Sequence, residues 1–426
     1  MNKLATHTSA KFLFMVALLY IAHALPLYFF NVAVPAILRQ QGVDVRWIGM
    51  LSLLYLPWAF KFFWASWVDN HYHQKLGKRK TWLLLTQIII VTGLFILAGL
   101  NWQQMTLLLA LSFVISTASA TQDIAIDGYT IEHVEKSQFS LASATQSLGI
   151  ALGSMLGGAG VLWLYQTYNW HVAIISLAMA IMLISMVLLF LPSEKTTTAR
   201  ILSSLDKVQP YQASLKHLIQ RPEVKWILLF IIVFRSVEAP AMAMLNPMLV
   251  DFGWSLAQIG GLFSVLGAIV GIVSAISAGF ISKKIGAKAC LTWAGWLRTA
   301  VYIILFLILT YPMLTANMPK ILFNFDALNS ALGLTILVLL AIRYLTMTAL
   351  YALFMQYSSQ QQAGTDFTLF VCVELLVYFV GGAFSGFLVH QLGYGKLFLV
   401  LSICSILSML LMPMLMRQII TKSASV

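Results

Sequence analysis

The stretch YLPWAFKFFWASWVDNHYHQKLGKRK, residues 55–80, joins an apolar aromatic run to a strongly basic loop. Lys61 lies inside the apolar run, whereas the positive charges of the loop come only after Asp69, between residues 75 and 80. Loops on the cytoplasmic side of membrane proteins carry an excess of Lys and Arg. The stretch therefore predicts a membrane helix that ends at the cytoplasmic surface, with one lysine inside the helix that needs an explanation.

The composition of the whole chain is that of a membrane protein. Of its 426 residues, 60% are hydrophobic and only 9% are charged, whereas about a quarter of the residues of a soluble domain are charged. Apolar runs recur along the chain, and each is long enough to cross a hydrocarbon core about 30 Å thick. We therefore predict an all-α polytopic membrane protein that contacts the lipid bilayer. Basic cytoplasmic loops explain the net charge of +12, so no nucleic-acid partner is expected.

Hydropathy and helix-breaking residues predict twelve transmembrane helices. Their approximate ranges are 12–38, 46–67, 81–100, 104–126, 139–164, 170–191, 225–250, 255–281, 289–312, 329–357, 367–391 and 394–417. The segment between the sixth and seventh helices is too polar to span a membrane. We therefore predict an N-terminal six-helix bundle (residues 1–191), a cytoplasmic linker (192–224) and a C-terminal six-helix bundle (225–426).

The distribution of Lys and Arg predicts the orientation of the chain. If the N-terminus is cytoplasmic, 18 of the 26 Lys and Arg residues lie in cytoplasmic segments and four lie outside. The remaining four are within predicted helices: Lys61, Arg235, Arg298 and Arg343. Because positive charge marks the cytoplasmic side, both termini are expected in the cytoplasm.

Similar features recur in the two halves of the sequence. The loop before helix 3 contains KLGKRKTW, and the loop before helix 9 contains KKIGAKACLTW. Helix 5 has glycines four residues apart at Gly149, Gly153 and Gly157, and helix 11 has such a pair at Gly382 and Gly386. Small residues at this spacing let helix backbones approach closely. The paired positions favour two pseudo-symmetric bundles, as in transporters built from repeats.

These features together resemble the major facilitator superfamily. The loop signature of that family has an Asp at the end of helix 2, followed by a Gly and a basic pair before helix 3. The chain matches it with Asp69, Gly77 and the basic residues 78–80, although the spacing from Asp69 to Gly77 is longer than in most members. Ala65 stands where a Gly is common. The resemblance implies the major facilitator fold, with helices 1, 4, 7 and 10 around a central cavity.

Shorter stretches resemble one branch of that superfamily, the muropeptide permeases (AmpG-like). They are LPWAFKFFWASWVD, TWLLLTQ and ATQDIAIDGYTIE. The AGTDFTLF opening of helix 11 is more similar to the siderophore permeases of the RhtX/FptX type within the branch. The resemblance therefore implies a permease for a siderophore or for a cell-wall fragment.

Ionisable residues inside a membrane need a partner, a watery cavity or a function, since each costs on the order of 2.5–3.5 kcal/mol at the bilayer centre. At 1.5 Å per residue, Arg235 is about 15 Å deep in helix 7, and Glu238 lies on the same helical face, so the two can pair. With the cavity-lining helices that the resemblance implies, a site for an anionic substrate is predicted. Its residues are Arg235, Glu238, Arg343, His23, Tyr28 and Asn31. The alternative is a self-neutralising Arg235–Glu238 pair, and Arg298 is expected to be structural.

A second group of charges is predicted nearer the cytoplasm. It comprises Lys61, Asp123, Asp127 and Glu374. Asp123 and Asp127 lie four residues apart on one face of helix 4, so they repel each other unless a cation or a proton intervenes. Lys61 is the candidate cation within the helices, and snorkelling of its side chain to the surface is the alternative. The resemblance implies a charge network that closes the cytoplasmic side, formed by Asp69, Arg79 and Asp127, to which we add Lys61 and Asp123.

The sequence predicts a secondary active transporter that works by alternating access, and the resemblance implies uptake coupled to protons. The candidates for carrying the proton are Glu238, His23, Asp123 and Glu374. The favoured cargo is a siderophore, free or iron-loaded, imported across a bacterial inner membrane. The alternative is an anhydro-muropeptide or another sugar-peptide, and an exporter is third.

No enzymatic activity is expected, because the H-E-x-x-H and G-x-S-x-G patterns are absent from the sequence. A membrane-embedded enzyme is the alternative class. The Walker A pattern is also absent, so ATP is not predicted as an energy source. Neither a cofactor nor a metal site is expected: the three cysteines lie in apolar runs, and His71 and His73 form an isolated pair in a basic loop. The transporter is expected to be a monomer.

Overall fold

The computed structural model describes residues 10–190, 211–315 and 327–423, which are built from helices and short connections. Within these residues, nine helices are long and apolar enough to cross a membrane, or ten if a bent pair is counted as one span. A shorter apolar helix, Trp170–Ser185, adds one, and a break at Gly393 divides the longest helix in two. The described residues therefore contain the twelve predicted helices. Most of the predicted linker, residues 192–210, lies outside the described residues.

Six helices precede the linker. They are α1 (Ala10–Gln40), α2 (Arg46–Phe60 and Phe62–Asn70), α3 (Lys78–Ala98), α4 (Met105–His133), α5 (Lys136–Thr167) and α6 (Trp170–Ser185). The two parts of α2 meet at a bend of 51°. At this bend the Trp64 N–H bonds to the Lys61 carbonyl oxygen, which makes a tighter, three-residue turn. Lys61 is therefore the residue at which α2 changes direction.

Six helices follow the linker. They are α7 (Val224–Asp251), α8 (Gln258–Ile285), α9 (Ala287–Thr310), α10 (Leu328–Tyr357), α11 (residues 363–392) and α12 (residues 394–423). Gly393 separates the last two helices with a φ of 75°, in a region of backbone space that favours glycine. Gly77 and Gly286 stand directly before α3 and α9, with φ values of 98° and 87°. The two similar loops thus enter their helices through the same kind of turn, which agrees with an internal repeat.

The chain folds into two compact units. Unit 1 comprises Met1–His217 together with Phe354–Cys372, and unit 2 comprises Leu218–Leu353 together with Val373–Val426. Unit 1 thus contains α1–α6 and also the start of α11. The bundle boundaries drawn from the sequence at residues 191 and 225 remain a prediction.

The glycines of α5 allow it to pack directly on α1 in unit 1. A methyl group added at Gly149 would lie 2.5 Å from the Tyr20 Cβ, and a methyl group at Gly157 would overlap the Leu25 carbonyl oxygen. Both distances are shorter than real Cβ contacts. The close approach predicted from the spacing of these glycines is therefore confirmed for α5.

The corresponding prediction for α11 is wrong in detail. A methyl group added at Gly382 would make an ordinary contact of 3.5 Å with the Ala243 Cβ, and one at Gly386 would meet no described atom within 4 Å. The tight position is Gly381, whose added Cβ would lie 2.8 Å from the Ala239 Cβ. One residue turns a helix by about 100°, so the face of α11 that packs on α7 is adjacent to the predicted face.

We expect Gly157→Ala to lower the free energy of unfolding by about 1–3 kcal/mol, the usual cost of overpacking. The Leu25 carbonyl belongs to the backbone of α1 and cannot rotate away from the added methyl group. Thermal unfolding in detergent measures the loss, with Gly386→Ala as the control that has open space beside it. Equal unfolding temperatures for the two variants would contradict the packing of α5 on α1.

Candidate functional site

Lys61 is fully buried in unit 1. Its ammonium group forms an ion pair with the Asp123 carboxylate on α4 and lies 5.4 Å from the centre of the Trp58 ring. Of the two readings of the sequence, the structure shows the ion pair across α2 and α4 rather than a lysine that extends to the surface. The bend of α2 at this residue places the ammonium group against α4.

Asp123 has a second partner on α1. The His23 Nε2 lies 3.5 Å from the Asp123 Oδ1, and both side chains are buried. The His23 ring is held by Trp58, at a centroid distance of 5.5 Å, and by the edge of Tyr20, at 5.8 Å. Asp123 therefore joins α1, α2 and α4 through one carboxylate.

Asp127 lies one turn further along α4 and is also fully buried. Its Oδ1 accepts hydrogen bonds from the Tyr20 hydroxyl, at 2.8 Å, and from the Gln146 Nε2, at 3.0 Å. The resemblance had implied that Asp127 joins Asp69 and Arg79 in a gating network. The structure instead places it against neutral groups of α1 and α5.

The acid of α4 that contacts Arg79 is Glu132, which sequence reasoning missed. The Arg79 Nη2 and Nε lie 2.5 and 3.0 Å from the two oxygens of Glu132, and the Arg79 Nη1 lies 2.5 Å from the Asp69 Oδ1. Glu132 is five residues after Asp127, which turns the helix by about 140° and places the two acids on different faces. The feature of the sequence that could have identified Glu132 was its position beside His133 at the end of α4.

Asp69 also binds the first turn of α11 within unit 1. The Asp69 Oδ2 accepts hydrogen bonds from the backbone N–H of Thr365, at 2.8 Å, and from its hydroxyl, at 2.6 Å. The N–H groups of a first helical turn have no partner within the helix and favour a negative charge. Asp69 and Arg79 thus tie α2, α3 and α4 to the start of α11.

Arg79 fits this place because two glycines leave room for it. Its guanidinium group is fully buried. A methyl group at Gly128 on α4 would overlap the guanidinium carbon, and one at Gly364 would lie 2.8 Å from the Nη1. The guanidinium group therefore occupies a slot between these two glycines.

A separate buried network lies in unit 2. The Arg235 Nη1 lies 2.7 Å from the Glu238 Oε2, so the pairing expected from their spacing is confirmed. The Arg235 Nη2 lies 2.6 Å from the Glu374 Oε1, and the Tyr378 hydroxyl donates to the Glu238 Oε1 at 2.6 Å. These contacts bind α7 to α11.

Within unit 2 the structure pairs Glu374 with Arg235, a partner that the sequence analysis did not predict, and the predicted grouping of Glu374 with Lys61, Asp123 and Asp127 remains a prediction. The predicted helix 11 began at residue 367, whereas α11 begins at residue 363. Glu374 is therefore about 16 Å into its helix at 1.5 Å per residue. Arg235, in a helix that begins at Val224, is equally far in, so the two charges are at matching depth.

Two further arginines adjoin this network. Arg298 is buried, donates to the Phe234 carbonyl oxygen at 3.0 Å and lies 3.7 Å from Glu238. Arg343 is half-buried, and its guanidinium carbon lies 5.7 Å from the centre of the Tyr378 ring. Three arginines thus surround two glutamates, which leaves an excess of positive charge on the network.

The other predicted substrate residues lie in unit 1. His23 contacts Asp123, as described, and Tyr28 is half-buried on α1. Asn31 lines a narrow gap with Phe30, Trp58, Ser116 and three other residues. That these α1 residues share one cavity with Arg235, Glu238 and Arg343 remains a prediction.

The sequence has relatives among bacterial membrane proteins. The anhydromuropeptide permease of Escherichia coli K12 is 27% identical over 281 residues, which are 66% of this chain and 57% of the permease. A transporter of Rickettsia bellii named AmpG 1 is 25% identical over 389 residues, covering 88% of this chain and 91% of that protein. The match to the Escherichia coli permease thus spans less than two thirds of its length. These names agree with the AmpG-like branch and give no support to siderophore permeases.

Solved structures share the fold. The proton:xylose symporter XylE has a TM-score of 0.68 at 12% identity, with 95% of each chain covered. A bacterial homologue of the iron transporter ferroportin, in an outward-facing state, has a TM-score of 0.64 at 15% identity, with 97% and 99% covered. At such low identities the likeness concerns the architecture alone.

The sequence profile of the Major Facilitator Superfamily matches residues 16–371. That range covers most of the chain, including the Asp69–Arg79 loop and both buried networks up to the start of α11. The fold, the residues of the loop signature and the profile agree with one another. This multi-pass membrane protein therefore belongs to the Major Facilitator Superfamily of transporters.

Proposed function

We propose that the protein is a secondary active transporter that imports anhydro-muropeptides, or related sugar-peptides, across a bacterial inner membrane. The observation that carries the substrate class is the 27% identity to the anhydromuropeptide permease of Escherichia coli over 281 residues. This conclusion reverses the order of the two cargoes favoured from the sequence. The short AGTDFTLF segment that favoured siderophores is outweighed by similarity along most of the chain.

Proton coupling is supported by the charges buried within membrane helices. Such groups are costly in a membrane and commonly belong to ion pathways or proton relays. In unit 1, Asp123 and Asp127 are buried beside a histidine and a lysine. In unit 2, Glu238 and Glu374 are buried with Arg235. Both sets offer carboxylates whose charge can change during a transport cycle.

The Asp69–Arg79–Glu132 cluster supports a gating role. It joins three helices of the first half of the chain to the start of α11 through charged, buried contacts. In the proposed cycle these contacts form when the cytoplasmic side closes and break when it opens. The cytoplasmic location of this loop follows from the excess of Lys and Arg.

The substrate site is proposed at the arginines of unit 2, which would bind a carboxylate of the peptide. Arg343 provides the cleaner test, because Arg235 is paired with two buried glutamates, and its loss would remove the cation paired with Glu374 and leave Glu238 with only Arg298, at 3.7 Å. We expect Arg343→Ala to abolish most uptake and Arg343→Lys to retain part of it, since Lys keeps the charge without the planar, two-pronged geometry. Uptake of a radiolabelled anhydro-muropeptide into cells measures this. Full uptake by a well-expressed Arg343→Ala variant would refute the anionic site.

One experiment separates the two cargoes. A strain that lacks this protein is expected to release labelled cell-wall fragments into the medium instead of recovering them. Its growth on iron-limited medium with added siderophores is expected to equal that of the parent strain. The reverse pattern would restore the siderophore hypothesis. A protonophore is expected to abolish accumulation of the labelled fragments, and uphill accumulation that persists would exclude proton coupling.

A further inference from the structure

The two aspartates of α4 are both buried, yet their environments differ. Asp123 has a full positive charge beside it, that of Lys61. Asp127 is bonded only to the neutral Tyr20 and Gln146, and its Oδ2 has no hydrogen-bond partner among the described residues. The sequence required a cation or a proton between these acids. In the structure the cation, Lys61, is paired with Asp123.

The charges around Asp127 come from several helices. The charged or titratable groups that face it or its neighbour are Tyr20 and His23 on α1, Lys61 on α2, Arg79 on α3 and Asp123 on α4. α5 contributes the neutral Gln146. Lys61 and Arg79 are the cations of this set, and both are already bound to other carboxylates. Within the described part of the chain, no cationic group lies within 4 Å of Asp127.

A neutral carboxylic acid suits this place better than a carboxylate. A buried charge without a partner is strongly unfavourable, and the Asp123 carboxylate one turn away adds repulsion. The Tyr20 hydroxyl can donate to the carbonyl oxygen of the acid as well as to a carboxylate. The Gln146 Nε2 can donate to the same oxygen, Oδ1, so the acid proton belongs on the Oδ2, which has no hydrogen-bond partner among the described residues.

We propose that Asp127 is the carboxyl group that binds and releases the coupling proton, while Lys61 and Asp123 remain a fixed ion pair. The proposal rests on the proton-coupled transport proposed above. The step is an exchange of one proton between water and a carboxyl oxygen. Loss of the proton leaves two carboxylates one turn apart with one lysine, so the packing of α1 and α5 around Asp127 is stable only while the proton is bound. Release of the proton therefore weakens the contacts of Asp127 with α1 and α5.

Infrared spectroscopy tests the proton directly and does not depend on the substrate. The purified protein labelled with ¹³C-carboxyl aspartate is expected to show a shifted carbonyl band of a protonated carboxyl group. The band is expected to disappear in Asp127→Asn and to remain in Asp251→Asn, a control at an exposed aspartate outside this cluster. Should Asp127→Asn not fold, Gln146→Leu provides the second variant, in which loss of the hydrogen bond to the carbonyl oxygen shifts the band to higher frequency. A band that is absent from the wild type, or unchanged in the folded variants, overturns the proposal.

Transport assays test the coupling. In liposomes, Asp127→Asn is expected to exchange labelled anhydro-muropeptide with unlabelled muropeptide at a rate comparable to that of the wild type. It is expected to lose accumulation driven by a pH gradient, because Asn imitates the protonated acid but cannot release a proton. Accumulation at the wild-type level by this variant would overturn the proposal. If the wild type does not move muropeptides at all, the substrate assignment fails, and the infrared result alone decides the role of Asp127.

Discussion

Replacing Lys61 with Met is expected to lower the free energy of unfolding by about 3–5 kcal/mol, the usual cost of removing one partner of a buried ion pair. Met fills much of the space of the lysine chain but leaves the Asp123 carboxylate buried with only His23 beside it. A second replacement, Asp123→Asn, removes the stranded charge. We therefore expect the double variant Lys61→Met/Asp123→Asn to regain most of the lost stability.

Thermal unfolding of the wild type, the two single variants and the double variant forms a cycle that isolates the pairwise interaction. Lys136→Met, at an exposed lysine on the first turn of α5, is the matched control and should unfold like the wild type. If Lys61→Met unfolds like this control, then the lysine does not stabilise Asp123. Snorkelling would again be the better explanation of its position. Transport by the double variant then reports whether the charges themselves are required.

Gly128→Ala is expected to lower the free energy of unfolding by about as much as Lys61→Met. The added methyl group would overlap the Arg79 guanidinium carbon, and Gly364 closes the other side of the slot. Arg79 must therefore leave its place, which removes the closest cation of the buried Asp69, leaves Lys78 at 3.5 Å as its remaining cation, and breaks both bonds to Glu132. Breaking a buried pair in this way costs about 3–5 kcal/mol.

The measurement is thermal unfolding together with uptake of labelled muropeptide. Gly49→Ala, on α2 in a helical position with open space around it, is the matched control for added volume and helix propensity. Gly128→Ala is expected to lose stability and uptake, whereas Gly49→Ala keeps both. An uptake rate for Gly128→Ala equal to that of the control would show that the Arg79 slot is unnecessary for gating.

The fold could be predicted because it depends on quantities that the sequence displays directly. The length of each apolar run and the polar gap after residue 191 gave twelve helices. The Asp69–Gly77 signature indicated the superfamily. The Arg235–Glu238 pair was predicted from helical spacing, and a pairing of Lys61 with Asp123 or Asp127 was predicted from the scarcity of cations within helices. Each of these predictions uses one helix or one strong energetic requirement.

The site could be predicted only in part because its details depend on how helices are rotated. Asp127 and Glu132 both lie in the last turns of α4, and a rotation of about 140° decides which of them meets Arg79. The pairing of Glu374 with Arg235 was not predicted, because α11 begins four residues earlier than its hydropathy suggested. Gly381 rather than Gly382 packs on α7, because a difference of one residue rotates the packed face of α11 by about 100°. The cargo was the weakest prediction, because the preference for a siderophore over a muropeptide depended on one short segment of the sequence.

The bend of α2 and the buried ion pair with α4 occur at the same residue. The helix changes direction at Lys61, the residue whose ammonium group is bound to Asp123. One residue thus forms both the bend of the helix backbone and the ion pair with α4. The side chain that pairs with α4 is carried by the residue at the vertex of α2, so a change in the charge of Asp123 would act on α2 at its bend. The two segments of α2 thus meet at a residue that is held to α4 by an ion pair.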